Sequence, residues 1–136
     1  MQVNPYLSFN GRCEEAFKFY EQRLGGKIET IHRFGGSPMA DQCPPDWADK
    51  VMHVSMELDG HILMGSDGMG APYEGMKGFS LSLNAKDVTE AERLFGALSE
   101  NAEIKMPLQQ TFWAAHFGML VDQFGTPWMV NCEQPT

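Results

Sequence analysis

Two kinds of hydrophobic spacing alternate along the first half of the chain. A stripe of apolar residues at helical intervals lies between two strand-like segments, which predicts a strand, a helix and a second strand. The stripe consists of Cys13, Ala16, Phe17, Tyr20 and Leu24. Gly25 and Gly26 end the helix. After a long loop rich in Gly and Pro, residues 51–67 predict a β-hairpin that turns at Asp59 and Gly60.

The second half of the chain repeats this order of elements. "GFSLSLNA" predicts a strand, Asp87 with Glu90 predicts a helix that begins with a capping box, and three more strands follow. Equivalent positions in the two halves are separated by about 74 to 76 residues, a drift that small changes in loop length produce. We therefore predict an α+β fold with a duplicated βαβββ module, over about 3–67 and 77–132, within a single domain spanning 1–136.

Composition and charge limit the classes of protein to which the chain can belong. Its 136 residues, 43% of them hydrophobic, suffice for one globular domain with a substantial core. The net charge of -8 disfavours nucleic acid and anionic membranes as partners and favours a cationic ligand. Cys13, Cys43 and Cys132 have no metal-ligand spacing and are typical of reduced thiols. Because we find no signal peptide and no membrane-spanning run, we expect a cytoplasmic protein.

Several segments of the chain resemble one known family. "PYLSFNGRCEEAFKFY", "VMHVSMELDGHILMGSD" and "MPLQQTFWAAHFGMLVDQFGTPWMVNCE", in this order, resemble the PhnB-like branch of the glyoxalase, bleomycin-resistance and extradiol-dioxygenase (vicinal oxygen chelate) superfamily. The resemblance covers about residues 3–132. It implies two half-barrel modules that enclose a cavity, a helix outside each sheet, and commonly a homodimer. The branch is often labelled a demethylubiquinone methyltransferase domain, but the sequence has no Gly-rich strand-to-helix loop to hold S-adenosylmethionine.

The resemblance also implies where a metal would be held. Metalloenzymes of the superfamily usually take one His or Glu ligand from the first and fourth strand of each module. The matching positions in this chain are Tyr6 or Ser8, Met64, Ser80 or Ser82, and Met129. Hydroxyls and thioethers are poor ligands for divalent zinc, nickel, iron or manganese. We therefore expect no stoichiometric divalent metal and no cofactor in the purified protein.

Alternation along the strands separates residues that face the helices from residues that face the cavity. On the third strand, Met52, Val54, Met56 and Leu58 should face the helix. His53, Ser55 and Glu57 should then face the cavity. By the same alternation, Phe79, Leu81, Leu83, Trp128 and Val130 should point outward, and Ser80, Ser82, Asn84, Met129 and Asn131 inward.

Two histidines are candidates for chemistry in the cavity. An offset of 63 residues between the two hairpins sets His53 on His116, so both imidazoles should face one cavity. Glu57 should lie on the same face, about 7 Å from His53. Such groups can act as acid and base near neutral pH or bind a metal in another way. The alternative is that each histidine donates a hydrogen bond in a polar pocket and takes no part in chemistry.

Two classes of function follow. The first is a small-molecule-binding protein without the usual metal ligands, whose organic ligand contacts His53, Ser55, Met64, Trp113, His116 and Met129. The second is a lyase, isomerase or dioxygenase that acts on a small oxygenated substrate through a metal or through histidines. Its candidate catalytic residues are His53, Glu57 and His116. A scaffold role without any site is a third alternative, because a fold does not by itself determine function.

Overall fold

In a computed structural model that describes residues 1–38, 40–68 and 72–133, the chain divides into two units, residues 1–75 and 76–136. The first unit contains β1 (Tyr6–Phe9), α1 (Cys13–Leu24), β2 (Lys27–Arg33), β3 (Val51–Leu58) and β4 (His61–Asp67). The second contains β5 (Leu81–Ala85), α2 (Val88–Leu98), β6 (Glu103–Gln109), β7 (Ala114–Val121) and β8 (Pro127–Glu133). The predicted α+β fold of two βαβββ modules is confirmed.

The first sheet has the strand order β1-β4-β3-β2. β1 runs parallel to β4, and the remaining neighbours are antiparallel. Helix α1 packs closely on one face, because a Cβ added at Gly65 would lie 2.7 Å from Cε1 of Phe17. The residues fully buried in this unit include Leu7, Phe9, Ala16, Phe17, Tyr20, Val54 and Met56. The side chains of β3 that alternate with Val54 and Met56 therefore lie on the opposite, open face.

The second sheet has the matching order β5-β8-β7-β6. Helix α2 packs on the face that carries Gly118, where an added Cβ would lie 2.6 Å from Cε2 of Phe95. Leu120, Trp128 and Val130 are buried on the same face. The prediction that Trp128 and Val130 pack toward the helix agrees with this arrangement.

The two helices begin in different ways. Asp87 accepts a hydrogen bond from the Glu90 N–H, and the Glu90 side chain accepts one from Lys86, so α2 has the predicted cap. At the start of α1, Arg12 offers no side-chain cap. The carboxylate of Asp67, from β4, accepts hydrogen bonds from the N–H groups of Gly11 and Cys13 instead. A residue distant in sequence thus stabilises the beginning of α1.

Two segments differ from the sequence prediction. The loop after β2 contains three short 3-10 turns, Phe34–Gly36, Ala40–Gln42 and Pro45–Trp47, with Met39 outside the described residues. The strand expected from Phe79 begins at Leu81. Phe79 is 44% exposed and precedes the strand, so it does not pack toward the helix as predicted. Among the described helices, none is long and apolar enough to cross a membrane.

Candidate functional site

The open face of the first sheet, opposite α1, carries most of the polar side chains predicted to be functional. Its side chains include Tyr6, Ser8, His53, Ser55, Glu57, Met64 and Ser66, and from β2 Thr30 and His32, which pair with Ser55 and His53. Pairing aligns Tyr6 with Met64 and Met64 with Ser55, so these three side chains form one row across β1, β4 and β3. Val54 and Met56 on the opposite face are fully buried, whereas His53 and Ser55 are half-buried. Hydroxyl and imidazole groups are thus presented on a rigid sheet.

Tyr6 and His53 form a hydrogen-bonded pair on this open face. The Tyr6 hydroxyl lies 3.1 Å from Nδ1 of His53, and the two ring centroids are 5.7 Å apart. Because β4 lies between β1 and β3, the pair reaches across the middle of the sheet. The phenol fixes the orientation of the imidazole through Nδ1, and Nε2 is the ring nitrogen that Tyr6 does not engage. The sequence did not predict this contact, because the two residues are 47 positions apart.

Glu57 does not accompany His53 as predicted. The two residues are four positions apart on one strand, which separates them by about 13 Å at 3.3 Å per residue, so the expected distance of about 7 Å was wrong. The Glu57 carboxylate accepts a hydrogen bond from the N–H of Gly60, in the turn between β3 and β4. Glu57 therefore stabilises the hairpin turn. Its part in catalysis stays a prediction, without the proximity to His53 on which it was based.

The register of the second sheet corrects the predicted equivalence of His53 and His116. Met64 pairs with Ser55, and its counterpart Met129 pairs with Met119, which lies 64 residues beyond Ser55. The offset of 63 residues was therefore wrong by one, and the counterpart of His53 is Phe117. A shift of one residue moves a strand side chain to the other face of its sheet.

His116 consequently belongs to the face of the second sheet that packs on α2. His116 pairs with Cys132, and Gly118, two positions further along β7, pairs with Val130. Because Gly118 lies against α2 and residues two positions apart on a strand share a face, His116 is on that face as well. Its Nδ1 is buried and has no hydrogen-bond partner among the described residues. A ligand contact or a catalytic role for His116 stays a prediction, without the support of symmetry with His53.

Trp113 and Met129 were also predicted to contact a ligand. Trp113 precedes β7, is 50% exposed, and lies edge-on to Phe112 and Phe117 with centroid distances of 4.8 and 5.4 Å. Met129 is half-buried and pairs with Ser82, on the face opposite α2. Both residues stay candidates. Trp113 contacts Phe117, which is the counterpart of His53 in the second unit.

The resemblance assigns metal binding in this superfamily to positions on the first and fourth strand of each module, and these strands are neighbours in each sheet. Tyr6 pairs with Met64 in the first sheet, and Ser82 pairs with Met129 in the second. A phenol, an alcohol and two thioethers do not fit a divalent ion that prefers imidazole or carboxylate. Within the part of the chain that the structure describes, no three His, Cys, Asp or Glu residues group so that they could hold a metal.

The three cysteines differ in accessibility. Burial raises the pKa of the Cys13 thiol, and the carboxylates of Asp67 and Glu14 raise it further. Cys132 is also buried, whereas Cys43 is half-buried and its thiol donates a hydrogen bond to the carbonyl of Ala40. Cys43 is therefore the most accessible thiol, but the hydrogen bond alone does not activate it as a nucleophile.

A groove that the sequence did not predict opens beside β2 and the loop that follows it. Its volume is about 690 Å³, and its lining includes Ile31, His32, Asp49 and Met52. Arg33, which also lines it, is paired with Glu14 of α1. The groove mixes apolar and charged groups.

Comparison with known proteins places these features in a family. A family model described as 3-demethylubiquinone-9 3-methyltransferase matches residues 1–131. Protein YjdN of Escherichia coli K12 is 38% identical over the whole chain and 99% of its own length. The crystal structure of PA1353 from Pseudomonas aeruginosa is 53% identical, with a TM-score of 0.91 over 99% of both chains.

A more distant structure shares the fold alone. The fosfomycin resistance protein FosX from Listeria monocytogenes is 8% identical, with a TM-score of 0.65 over 96% of this chain and 90% of its own. It was crystallised with Mn(II) and 1S,2S-dihydroxypropylphosphonic acid. The fold is that of the glyoxalase, bleomycin-resistance and dioxygenase superfamily.

Proposed function

The chain belongs to the PhnB-like family described as 3-demethylubiquinone-9 3-methyltransferase, and from this premise we propose that it binds a small organic molecule on the open face of the first sheet. The observation that carries the proposal is the hydrogen bond between Tyr6 and His53, which holds an imidazole in place on that face. The family description does not extend the proposal to methyl transfer, because the sequence lacks a loop for S-adenosylmethionine.

The surroundings of the pair are suited to binding. Ser8, Ser55 and Ser66 add hydroxyl groups to the same face, and Met64 adds an adaptable apolar surface between them. A polar group that loses water without gaining a partner costs about 1 to 3 kcal/mol, so these groups favour a ligand that offers hydrogen bonds. A protein of the same fold, FosX, was crystallised with a small phosphonic acid, which supports small-molecule binding as the class of function.

The charge of the chain favours one class of ligand over another. Eighteen acidic residues stand against ten basic ones, giving the net charge of -8. This field attracts cations and repels anions at moderate ionic strength. We therefore expect an organic cation with an apolar body and at least one hydrogen-bonding group. Trp113, His116 and Met129 stay predicted contacts.

Binding is favoured over catalysis by the position of Glu57. A proton-transfer reaction would need a second titratable group within hydrogen-bond reach of the reacting atoms beside His53. Glu57 instead bonds Gly60, and the observed partner of His53 is a phenol. A histidine-dependent lyase or isomerase, the alternative function, would use Tyr6 and His53 as its acid–base pair, with His32, which pairs with His53 across β2 and β3, as a further titratable group.

The test is saturable binding of a probe to purified protein and to matched variants. With berberine, a fluorescent organic cation, Tyr6→Phe and His53→Ala should each weaken binding by about tenfold or more, the scale of one lost hydrogen bond. Both residues are at least partly exposed, so thermal unfolding should change little. His61→Ala, an exposed histidine of the same sheet, is the control and should bind as the natural protein does.

Other outcomes of this assay separate the parts of the proposal. Stronger binding of a naphthalene sulfonate, an apolar anion, would contradict the cationic class and leave the site intact. No saturable binding of either dye, or equal binding by Tyr6→Phe, His53→Ala and His61→Ala, would contradict the site itself. The variants His116→Ala and Trp113→Ala, measured alongside, test the predicted contacts in the second unit.

We also propose that the protein is a homodimer in the cytoplasm. Large apolar side chains remain exposed in each unit, including Tyr73, Phe79, Ile104 and Phe112. Exposed apolar groups of this size favour association between chains. Light scattering at micromolar concentration should give twice the mass of the chain. A stable monomer under these conditions would refute the dimer.

A further inference from the structure

Three methionines lie in one row across the second sheet. Met106 of β6 pairs with Met119 of β7, and Met119 pairs with Met129 of β8. Residues directly opposite one another on neighbouring strands point to the same face, with Cβ atoms about 4.5 to 5.5 Å apart. Ser82 of β5 continues the row beyond Met129. Met119 and Met129 are therefore neighbours in a regular stretch of the ladder, and Met106 joins them at a pairing that has a register shift on each side.

The row lies on the face of the sheet that α2 does not cover. Leu120 and Trp128, one position along β7 and β8, are 1% and 2% exposed on the helix-packed face. All three methionines are half-buried, so none is enclosed in the core that the helix covers. Packing against α2 does not explain the choice of methionine at these three positions.

The chemistry of the row selects one class of ligand. A thioether is a soft, uncharged donor, which prefers Cu(I) or Ag(I) to hard divalent ions. Each side chain has three rotatable bonds, so sulfur atoms on adjacent strands can turn toward a common point. On one side the row is flanked by Phe117 and Asn131, which carry neither carboxylate nor thiolate. On the other side Glu103 pairs with Val121, and its carboxylate forms an ion pair with Lys105 at 2.8 Å.

We propose that Met106, Met119 and Met129 form a binding site for a soft monovalent metal ion, Cu(I) or Ag(I). The site lies within the second unit and differs in position and chemistry from the Tyr6 and His53 pair. It also differs from the divalent-metal positions of the superfamily, because it draws ligands from β6 and β7 as well as β8. Binding involves no redox step, since the ion enters and leaves in the same oxidation state.

The test is titration with Ag(I) of protein labelled with carbon-13 in the methionine methyl groups. Cys43→Ser serves as the background, so that the accessible thiol does not compete for the ion. One ion should bind per chain and shift the methyl resonances of the three methionines of the row. Met119→Leu, which keeps the volume and removes the sulfur, should weaken binding by more than about tenfold.

A matched variant makes the outcome decisive. Met52→Leu removes a half-buried methionine of the first unit and should leave the affinity for Ag(I) unchanged. Equal affinities of Met119→Leu and Met52→Leu would overturn the proposal, as would shifts spread over methionines outside the row. Thermal unfolding of each variant, measured without metal, separates a lost ligand from a lost fold. Because the probe is the ion alone, the result is independent of organic ligand binding to the first sheet.

Discussion

Replacing Asp67 by alanine is expected to lower the free energy of unfolding by about 3 to 5 kcal/mol. The side chain is 2% exposed, and its Oδ1 lies 2.7 Å from the N of Gly11 and 3.1 Å from the N of Cys13. Its Oδ2 lies 3.0 Å from the N of Val51. Alanine leaves these three backbone N–H groups without this acceptor, at about 1 to 3 kcal/mol for each group that stays unpaired.

The matched control is the other helix cap. Asp87→Ala removes the exposed cap of α2, where water can replace the lost acceptor, and should cost about 1 kcal/mol. Urea unfolding of both variants gives the comparison, with an unchanged dependence on denaturant as the sign of two-state behaviour. Asp67→Asn, which keeps one acceptor oxygen, should fall between Asp67→Ala and the natural protein. If Asp67→Ala lost no more stability than Asp87→Ala, the hydrogen bonds from the Asp67 carboxylate of β4 to the start of α1 and to β3 would not contribute to stability as the structure indicates.

This contrast shows which features of the fold the sequence could supply. The residues that cap α2 lie within four positions of one another, so Asp87 and Glu90 predict the cap from the sequence alone. The cap of α1 comes from Asp67, which accepts a hydrogen bond from the N–H of Cys13. The two residues are 54 positions apart in the sequence. Hydrophobic periodicity reports which face of an element is buried, and it carries no information about such distant partners.

The candidate site also combines features that the sequence predicts with features that depend on residues distant in the chain. Alternation correctly separated Val54 and Met56, which are buried, from His53 on the opposite face of β3. It was wrong at the start of the strand, where the register shifts: Val51 is fully buried, whereas Met52 is half-buried and lines the groove. The equivalence with His116 failed because it depended on the relative lengths of two turns, and an error of one residue reverses the face. The register also shifts between Ala114 and His116, an irregularity that alternation alone does not predict. The partner of His53 is Tyr6, a position that the resemblance assigns to metal binding and that alternation along a strand does not connect to the histidine.

Close packing of helix on sheet leads to the second large effect, at Gly118. A Cβ added there would lie 2.6 Å from Cε2 of Phe95 and 3.0 Å from Cα of Leu108. The Phe95 ring can turn away, but the backbone of Leu108 belongs to β6 and can move only with its strand. Gly118→Ala should therefore lower the free energy of unfolding by about 1 to 3 kcal/mol through overpacking.

The same substitution in α2 should have the opposite sign. Gly96 lies inside the helix, and an added Cβ would meet nothing within 4 Å. Gly96→Ala should raise the free energy of unfolding by about 0.5 to 1 kcal/mol, because alanine reduces the freedom of the unfolded chain and favours the helix. Urea unfolding of the two variants measures both changes. Equal changes in the free energy of unfolding would mean that α2 and β7 do not approach as closely as the contact between Phe95 and Gly118 indicates. Destabilisation by Gly118→Ala together with stabilisation by Gly96→Ala would show that this contact requires a residue without a side chain.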